Sequence, residues 1–327
     1  MDIYVPDYYN EFKCIADKCT HSCCIGWEID IDSETLDYYK TIKGPLGLRL
    51  KDAIDMDGEP HFRLSDSDRC PFLNKNGLCD IICELGEEAL CDICADHPRF
   101  RNYLTYGVEM GLGLCCEAAA ELILTRTKPF EIISSTGADF PLTETEKYLW
   151  NVRGKLINIM QNRSMTIDQR HSAILKELGI KIRDKSLEEW CEFYLKLERL
   201  DEEWADVLYE AKNVLCGNTY DCEDLSIPQE QLTIYFLYRH MMSAVWDEDI
   251  SEKVAFAVHA CRMIAKISSL TCVKSMVLSH IDQVNHKVSD SLCAMIHVAR
   301  MYSAEIEYSD ENLWMVMTEL GVRGDNF

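Results

Sequence analysis

Four cysteines fall within eleven residues near the start of this chain, in Cys14-x4-Cys19-x3-Cys23-Cys24, and seven more follow before residue 117. Of the 17 cysteines in 327 residues, only Cys191, Cys216, Cys222, Cys261, Cys272 and Cys293 lie in the remaining two-thirds, where they resemble ordinary buried apolar residues. Burial preference does not account for such local crowding. The choice is therefore between disulfides and metal ligands. The opening segment MDIYVPDYYNEFK is acidic and aromatic and lacks the basic and apolar regions of a secretory signal, so a cytoplasmic protein is expected. A reducing cytosol does not keep a disulfide framework oxidised, and the cysteine count is odd. Metal ligation is the reading that remains.

Spacing says what kind of site. A helix beginning at Cys19 would place Cys19 and Cys23 on one face and turn Cys24 about 100° away from Cys23. Adjacent thiolates suit a polynuclear cluster, or two sites, better than one tetrahedral ion. Cys70-Pro71-Phe72-Leu73 and Gly77-Leu78-Cys79 flank a hairpin turned at Asn76-Gly77, whose closure would bring Cys70 and Cys79 together. Cys91-x2-Cys94 has a metal-pair spacing, and Cys115-Cys116 repeats the adjacent arrangement. Cys83, and after it Cys91 and Cys116, are expected to serve packing. Thiolates suit zinc and iron alike, but structural zinc draws on paired knuckles supplying four ligands, and here the pairs are interrupted and too numerous. An iron–sulfur cluster is favoured, with zinc as the alternative. Bound iron would offset the thiolate charge, so the metal-free protein is expected to be poorly ordered around the site.

The rest of the chain reads as ordinary helical protein. Apolar residues make up 47% and Gly plus Pro are few, which excludes disordered and fibrous classes. A net charge of -23 repels a phosphate backbone, so nucleic acid is excluded as a partner. No apolar run is long enough to span a bilayer, since even CCEAAAELIL carries Glu117 and Glu121. From residue 143 onward the pattern is helical. Thr143 with Glu146 and Ser186 with Glu189 form capping boxes, Gly179 and Gly217 stand where helix ends would fall, and further helices are expected at 166–178, 201–215, 228–246, 250–269, 273–286, 290–304 and 310–320. Before it, ICELGEEALCDICADHP suggests one short helix ended by Pro98, and EAAAELILTRT another. Pro129 and SSTGADFPLT mark 125–143 as the boundary. The expected fold is mainly α: an irregular cysteine-rich metal-binding domain over 1–125, then an all-α helical bundle over 126–327. The P-loop, H-E-x-x-H and G-x-S-x-G motifs are absent, and GLGLCC lacks the third glycine of a dinucleotide loop. His240, His259, His280 and His297 fall in helical patterns and receive no role.

Taken in order, FKCIADKCTHSCCIGWEIDID, CPFL, NGLCDIICELGEEAL, CADHPRF and CCEAAAELIL resemble the flagellin lysine-N-methylase family over residues 4–125. The string is also similar to a wider group of zinc- or iron-chelating proteins. The family's cysteine positions fall on Cys14, Cys19, Cys23, Cys24, Cys70, Cys79, Cys94 and Cys115, which the resemblance implies as ligands of a 4Fe-4S cluster. Cys83 and Cys91 are extra here. Cys116 stands where the family has proline, and Ala120 where it has arginine. His97 precedes Pro98-Arg99, and Arg99 could clamp the carboxylate of a methionine moiety by forked bonds. The resemblance implies methyl transfer from S-adenosylmethionine to a protein lysine, on flagellin or a similar surface protein. A lysine ammonium has no lone pair, so polar transfer would require a base, and no residue announces itself as one. The radical-type C-x3-C-x2-C spacing is not reproduced either, since Gly26 stands at its third position. The competing reading is a noncatalytic zinc- or iron-binding protein whose helical domain binds a partner.

Overall fold

The computed structural model of the chain describes residues 2–135, 141–213, 224–280 and 288–322. It is mainly helical and divides into two units, one of residues 13–99 and the other of residues 1–12 with 100–327. After strand β1 (Asp2–Pro6) the chain forms α1 (Ser33–Thr41), α2 (Gly44–Ala53), the two-residue strands β2 (Ile54–Asp55) and β3 (His61–Phe62), α3 (Asp80–Leu85) and α4 (Asp92–Asp96). It continues with β4 (Arg99–Leu104), β5 (Gly107–Leu112), α5 (Glu117–Leu124) and β6 (Ile132–Ser134). The helices α6 (Glu144–Met160), α7 (Ile167–Glu177), α8 (Leu187–Tyr194), α9 (Glu202–Asn213), α10 (Ser226–His240), α11 (Ala244–Asp247), α12 (Ile250–Ser268), α13 (Thr271–His280), α14 (Asp290–Tyr302) and α15 (Asp310–Glu319) complete it.

In the larger unit the helix starts follow the capping signals. Thr143 and Glu146, Thr166 and Gln169, and Ser186 and Glu189 exchange side-chain and backbone hydrogen bonds at the heads of α6, α7 and α8. Helices α10 and α12 are apolar on nearly every side, with Leu232, Ile234, Phe236, Leu237, Val254, Phe256 and Val258 all fully buried, as helices at the centre of a bundle must be. The helix expected over 228–246 breaks at His240, where a 3-10 turn over Met241–Ser243 leads into α11. The helix expected at 290–304 ends at Tyr302 and widens into a π turn over Ser303–Glu307. Gly179 adopts a φ of +65° after α7, the left-handed conformation of a helix terminus. Gly217, Cys216 and Cys222 lie outside the described residues, as do the ends of the helices expected over 201–215 and 273–286 and part of the SSTGADFPLT stretch.

A sheet in this unit was not expected from the sequence. Its strand order is β4-β5-β1-β6, with β1 parallel to β5 (Asp2↔Gly107, Tyr4↔Glu109) and antiparallel to β6 (Tyr4↔Ser134, Pro6↔Ile132). The Tyr238 hydroxyl lies 3.0 Å from the carbonyl oxygens of both Tyr4 and Met110 and shares its one proton between them, fastening two strands to α10. Beneath them the fully buried Glu109 and Arg153 form a two-bonded ion pair. The two compact units divide at 12/13 and 99/100, and β6, which lies within the 125–143 stretch marked by composition as a boundary, pairs with β1 inside the larger unit. Among the described residues, no helix is long and apolar enough to cross a membrane.

Candidate metal centre

The unit of residues 13–99 is built from short elements whose loops are individually pinned. Asp32 caps α1 by accepting from Thr35 N at 2.8 Å, and its other carboxylate oxygen accepts from Asp92 N at 2.9 Å, tying the start of α1 to the start of α4. The Tyr39 hydroxyl donates to the Ala89 carbonyl at 2.7 Å. Around these ties pack Ile29, Ile31, Leu36, Leu46, Leu50, Phe62, Phe72 and Ile81. A continuous helix expected over 82–98 is interrupted at Gly86, whose φ of +96° ends α3 and lets a 3-10 turn lead to α4.

Two local pairings carry the cysteines inward. Ile25 bridges Arg69, Gly26 N donates to Asp68 O at 2.9 Å and Cys70 N to Cys24 O at 2.9 Å, so Cys24 and Cys70 are neighbours. The expected hairpin is present: Leu73 bridges Cys79, and Asn74 N donates to Leu78 O at 2.9 Å. Its loop is organised by Asn74, whose side-chain oxygen accepts from Asn76 N and Leu78 N, while Gly77 takes the left-handed φ of +76°. Cys79 is thereby returned to Cys70. Cys91 and Cys94 arrive on the first turn of α4.

The result is one sulfur-lined region of the core. Cys70 and Cys91 are buried in it, and Cys24, Cys79 and Cys94 pack against it. The charges of Cys24, Cys70, Cys79 and Cys94 act on one another, and Tyr39 lies within reach of Cys79, Cys91 and Cys94. Burial pushes the Cys70 thiol up to about 12 and raises Cys79. The hydrogen bond from Cys23 holds Cys24 down to about 7, aided by Ser22 and Arg69 and opposed by burial. Cys91 and Cys94 hydrogen-bond each other, so the pair releases one proton readily and the second with difficulty, Cys94 being raised and Cys91 lowered. Kept neutral by burial, these thiols need no counter-charge; ionised together they would need a cation to balance them, and soft sulfur donors suit iron or zinc. Among the described residues, no three cysteine sulfurs come within 4.8 Å of one another.

Other expected site residues stand elsewhere. Cys14 is exposed, its sulfur accepting from Ala16 N at 3.4 Å, and the half-buried Cys19 donates to His21 O at 3.2 Å. Ala16–Lys18 is a 3-10 turn and residues 23 and 24 sit in a turn, so the helical arrangement that would separate Cys23 from Cys24 does not form, and their side chains meet. Cys83, expected to pack, is exposed on α3. Cys91, expected to do no more than pack, is completely buried and also bonded to Cys94; the Cys-x2-Cys spacing was the signal for it. Cys115 belongs to the other unit, just before α5, where burial pushes its thiol up to about 12 beside the Tyr308 hydroxyl. The half-buried Cys116 is the N-cap residue of α5. Arg99 donates to the Ala95 carbonyl at 3.2 Å. Next to it, His97 is held down to about 4 by burial and by the Arg99 charge, and its ring lies 6.3 Å from that of Trp27. Of the helical-pattern histidines, His240 contacts Glu307 at 2.6 Å and His259 contacts Tyr194 at 2.8 Å, while His297 is buried on α14 and the His280 side chain lies outside the described residues.

Comparison with known proteins finds relatives that match parts of the chain. The chain is 29% identical over 127 residues to the flagellar biosynthetic protein FliU of Salmonella muenchen, a stretch covering 36% of this chain and 75% of that protein. It is 28% identical over 160 residues to the lysine-N-methylases of Salmonella typhimurium LT2 and Salmonella choleraesuis SC-B67, covering 45% of this chain and 40% of each methylase. The chain thus spans less than half the length of the methylases it matches. No protein-family model matches it, and neither does any solved structure.

Proposed function

We propose that this protein is an iron–sulfur-containing protein lysine N-methyltransferase that uses S-adenosylmethionine and acts on flagellin or a similar surface protein. The observation that carries the reading is the gathering of Cys24, Cys70, Cys79 and Cys94 in one apolar core, in a chain whose relatives include proteins named lysine-N-methylase. Those four thiols are assigned the cluster, and each is among the positions that the family resemblance names. Cys14, Cys19 and Cys23, also named by the resemblance, lie outside that core, and Cys115 lies in the other unit. Iron bound to the thiolates would supply the positive charge that the buried sulfurs lack and an electron-accepting centre. Arg99, at the end of the same unit, is assigned to the carboxylate of the methionine moiety.

The test begins with anaerobic purification. A brown protein containing iron and sulfide, which transfers labelled methyl groups from S-adenosylmethionine to lysines of flagellin and loses both properties on Cys24→Ala with Cys70→Ala, is the expected result. A colourless protein carrying stoichiometric zinc and binding no adenosyl compound overturns the reading in favour of a noncatalytic metal-binding protein.

A further inference from the structure

Inside the larger unit, α6 runs along the outer edge of the sheet without closing on it. Strand β6 is the last in the order β4-β5-β1-β6. Asp7 N donates to Glu131 O at 2.9 Å and Ser135 N to Ile3 O at 2.8 Å, so the odd-numbered residues of this stretch bond to β1 and the even-numbered ones turn their N–H and C=O away from it. Pro6, opposite Ile132, has no N–H to offer. At Phe130 the outward pair is taken by the Gln161 side chain, whose Oε1 accepts from Phe130 N at 2.7 Å and whose Nε2 donates to Phe130 O at 3.4 Å. A flat amide thus sits where a further strand would bond. Two residues on, the outward pair of Ile132 has no such cap among the described residues, and Ile132 lines a cleft of about 240 Å³ between β6 and α6. The α6 wall is made by Trp150, Gly154, Ile157 and the exposed Asn158. Gly154 lies inside a 17-residue helix, where glycine costs stability relative to alanine, yet a Cβ at that position meets nothing within 4 Å. No neighbour requires the glycine, and its effect is to widen the cleft. Arg153 also lines it, but its terminal nitrogens both bond to Glu109, so its charge is already matched and an anion gains little there.

We propose that this cleft is a binding site for an adenine ring, held between the free edge of β6 at Ile132 and the Asn158 amide. Gln161 shows which group the edge accepts: a flat one carrying a donor and an acceptor on neighbouring atoms. Adenine presents that arrangement at N6 and N1, and again at N6 and N7, where an asparagine amide pairs with it. Ile132 takes the first edge and Asn158 the second, each using one N6 hydrogen. Guanine shows two acceptors, O6 and N7, on the corresponding edge and leaves the amide oxygen facing a lone pair. The volume lies below the roughly 300–1,000 Å³ of sites for drug-sized ligands, which suits a single ring system. Phe130 and Trp150 supply apolar walls for it. A peptide strand is the poorer occupant, because β6 has three residues and Gln161 already blocks the edge at Phe130. The same ring is carried by S-adenosylmethionine and by adenine nucleotides, and the inference needs neither the cysteine core nor its metal.

The experiment is isothermal titration calorimetry of the full chain with adenosine, guanosine, S-adenosylhomocysteine and AMP. Adenosine is expected to bind, and guanosine about tenfold more weakly. Gly154→Leu, whose side chain fills the cleft, is expected to weaken adenosine by about tenfold without lowering the thermal midpoint, since leucine suits a helix better than glycine. Asn158→Leu is expected to narrow the gap between the two nucleosides. Tighter binding of S-adenosylhomocysteine than of AMP identifies an S-adenosyl compound as the source of the ring, and the reverse order identifies a nucleotide. A wild-type chain that binds no adenosine, or a folded Gly154→Leu chain that binds it unchanged, overturns the proposal. Where Gly154→Leu does not fold, an unaltered nucleoside preference in Asn158→Leu overturns it instead. Binding of adenosine without S-adenosylhomocysteine supports the cleft and counts against the methyl donor proposed above, so the two readings fail separately.

Discussion

The two units reach an ordered structure by opposite means. The larger one buries long helices against one another: α12 alone runs for 19 residues, and side chains from α6, α10, α12 and α14 disappear completely from solvent. In the unit of residues 13–99 no helix exceeds 10 residues, one sheet has two residues per strand, and a short apolar core is interleaved with five sulfur atoms. Extensive hydrophobic burial stabilises the first, whereas the second has a smaller apolar core to set against the entropy of ordering its loops. On the iron–sulfur reading proposed above, thiol density would mark the region whose order depends on what it binds.

Metal removal should separate the two units most clearly. Stripping iron from the loaded protein is expected to abolish hydrogen-exchange protection across residues 13–99 while leaving the far-ultraviolet helical signal of the larger unit nearly intact; equal loss of both would erase the contrast. Next in size, Phe236→Ala removes a fully buried ring from α10 and should cost about 3–5 kcal/mol of stability in denaturant titration. Its iron content should stay at the wild-type level. The smallest effect concerns reactivity. In metal-free protein the thiols of residues 13–99 lose their folded surroundings, so Cys24 and Cys70 should be alkylated by iodoacetamide at similar rates, whereas Cys261, fully buried in the larger unit and pushed up to about 12 by burial, should stay inert. Peptide mapping of the labelled cysteines measures all three, and a Cys261 as reactive as Cys24 would show that the two units lose their order together.

Helices were legible in the sequence wherever a local signal sufficed. Thr143–Glu146 and Ser186–Glu189 announced α6 and α8 because a capping box is written in four consecutive residues. Asn76-Gly77 announced the turn that returns Cys79 toward Cys70 for the same reason. The sheet was not legible, because β1 pairs with strands more than a hundred residues away and five residues of alternating character do not reveal their partners. The crowding of cysteines could be read from spacing, but which of them share one apolar core could not. Cys91 looked like a spare residue, Cys83 like a buried one, and Cys23 and Cys24 like diverging neighbours. Each of those depended on long-range ties such as Asp32 to Asp92, or on a turn where a helix was the simpler assumption.

The parallel pairing of β1 with β5 has a consequence for biosynthesis. Asp2–Pro6 leaves the ribosome early, yet its neighbours in the sheet emerge only after the whole of Lys13–Arg99 has been made. The sulfur-bearing segment is therefore complete while the strands that β1 must join are still being translated.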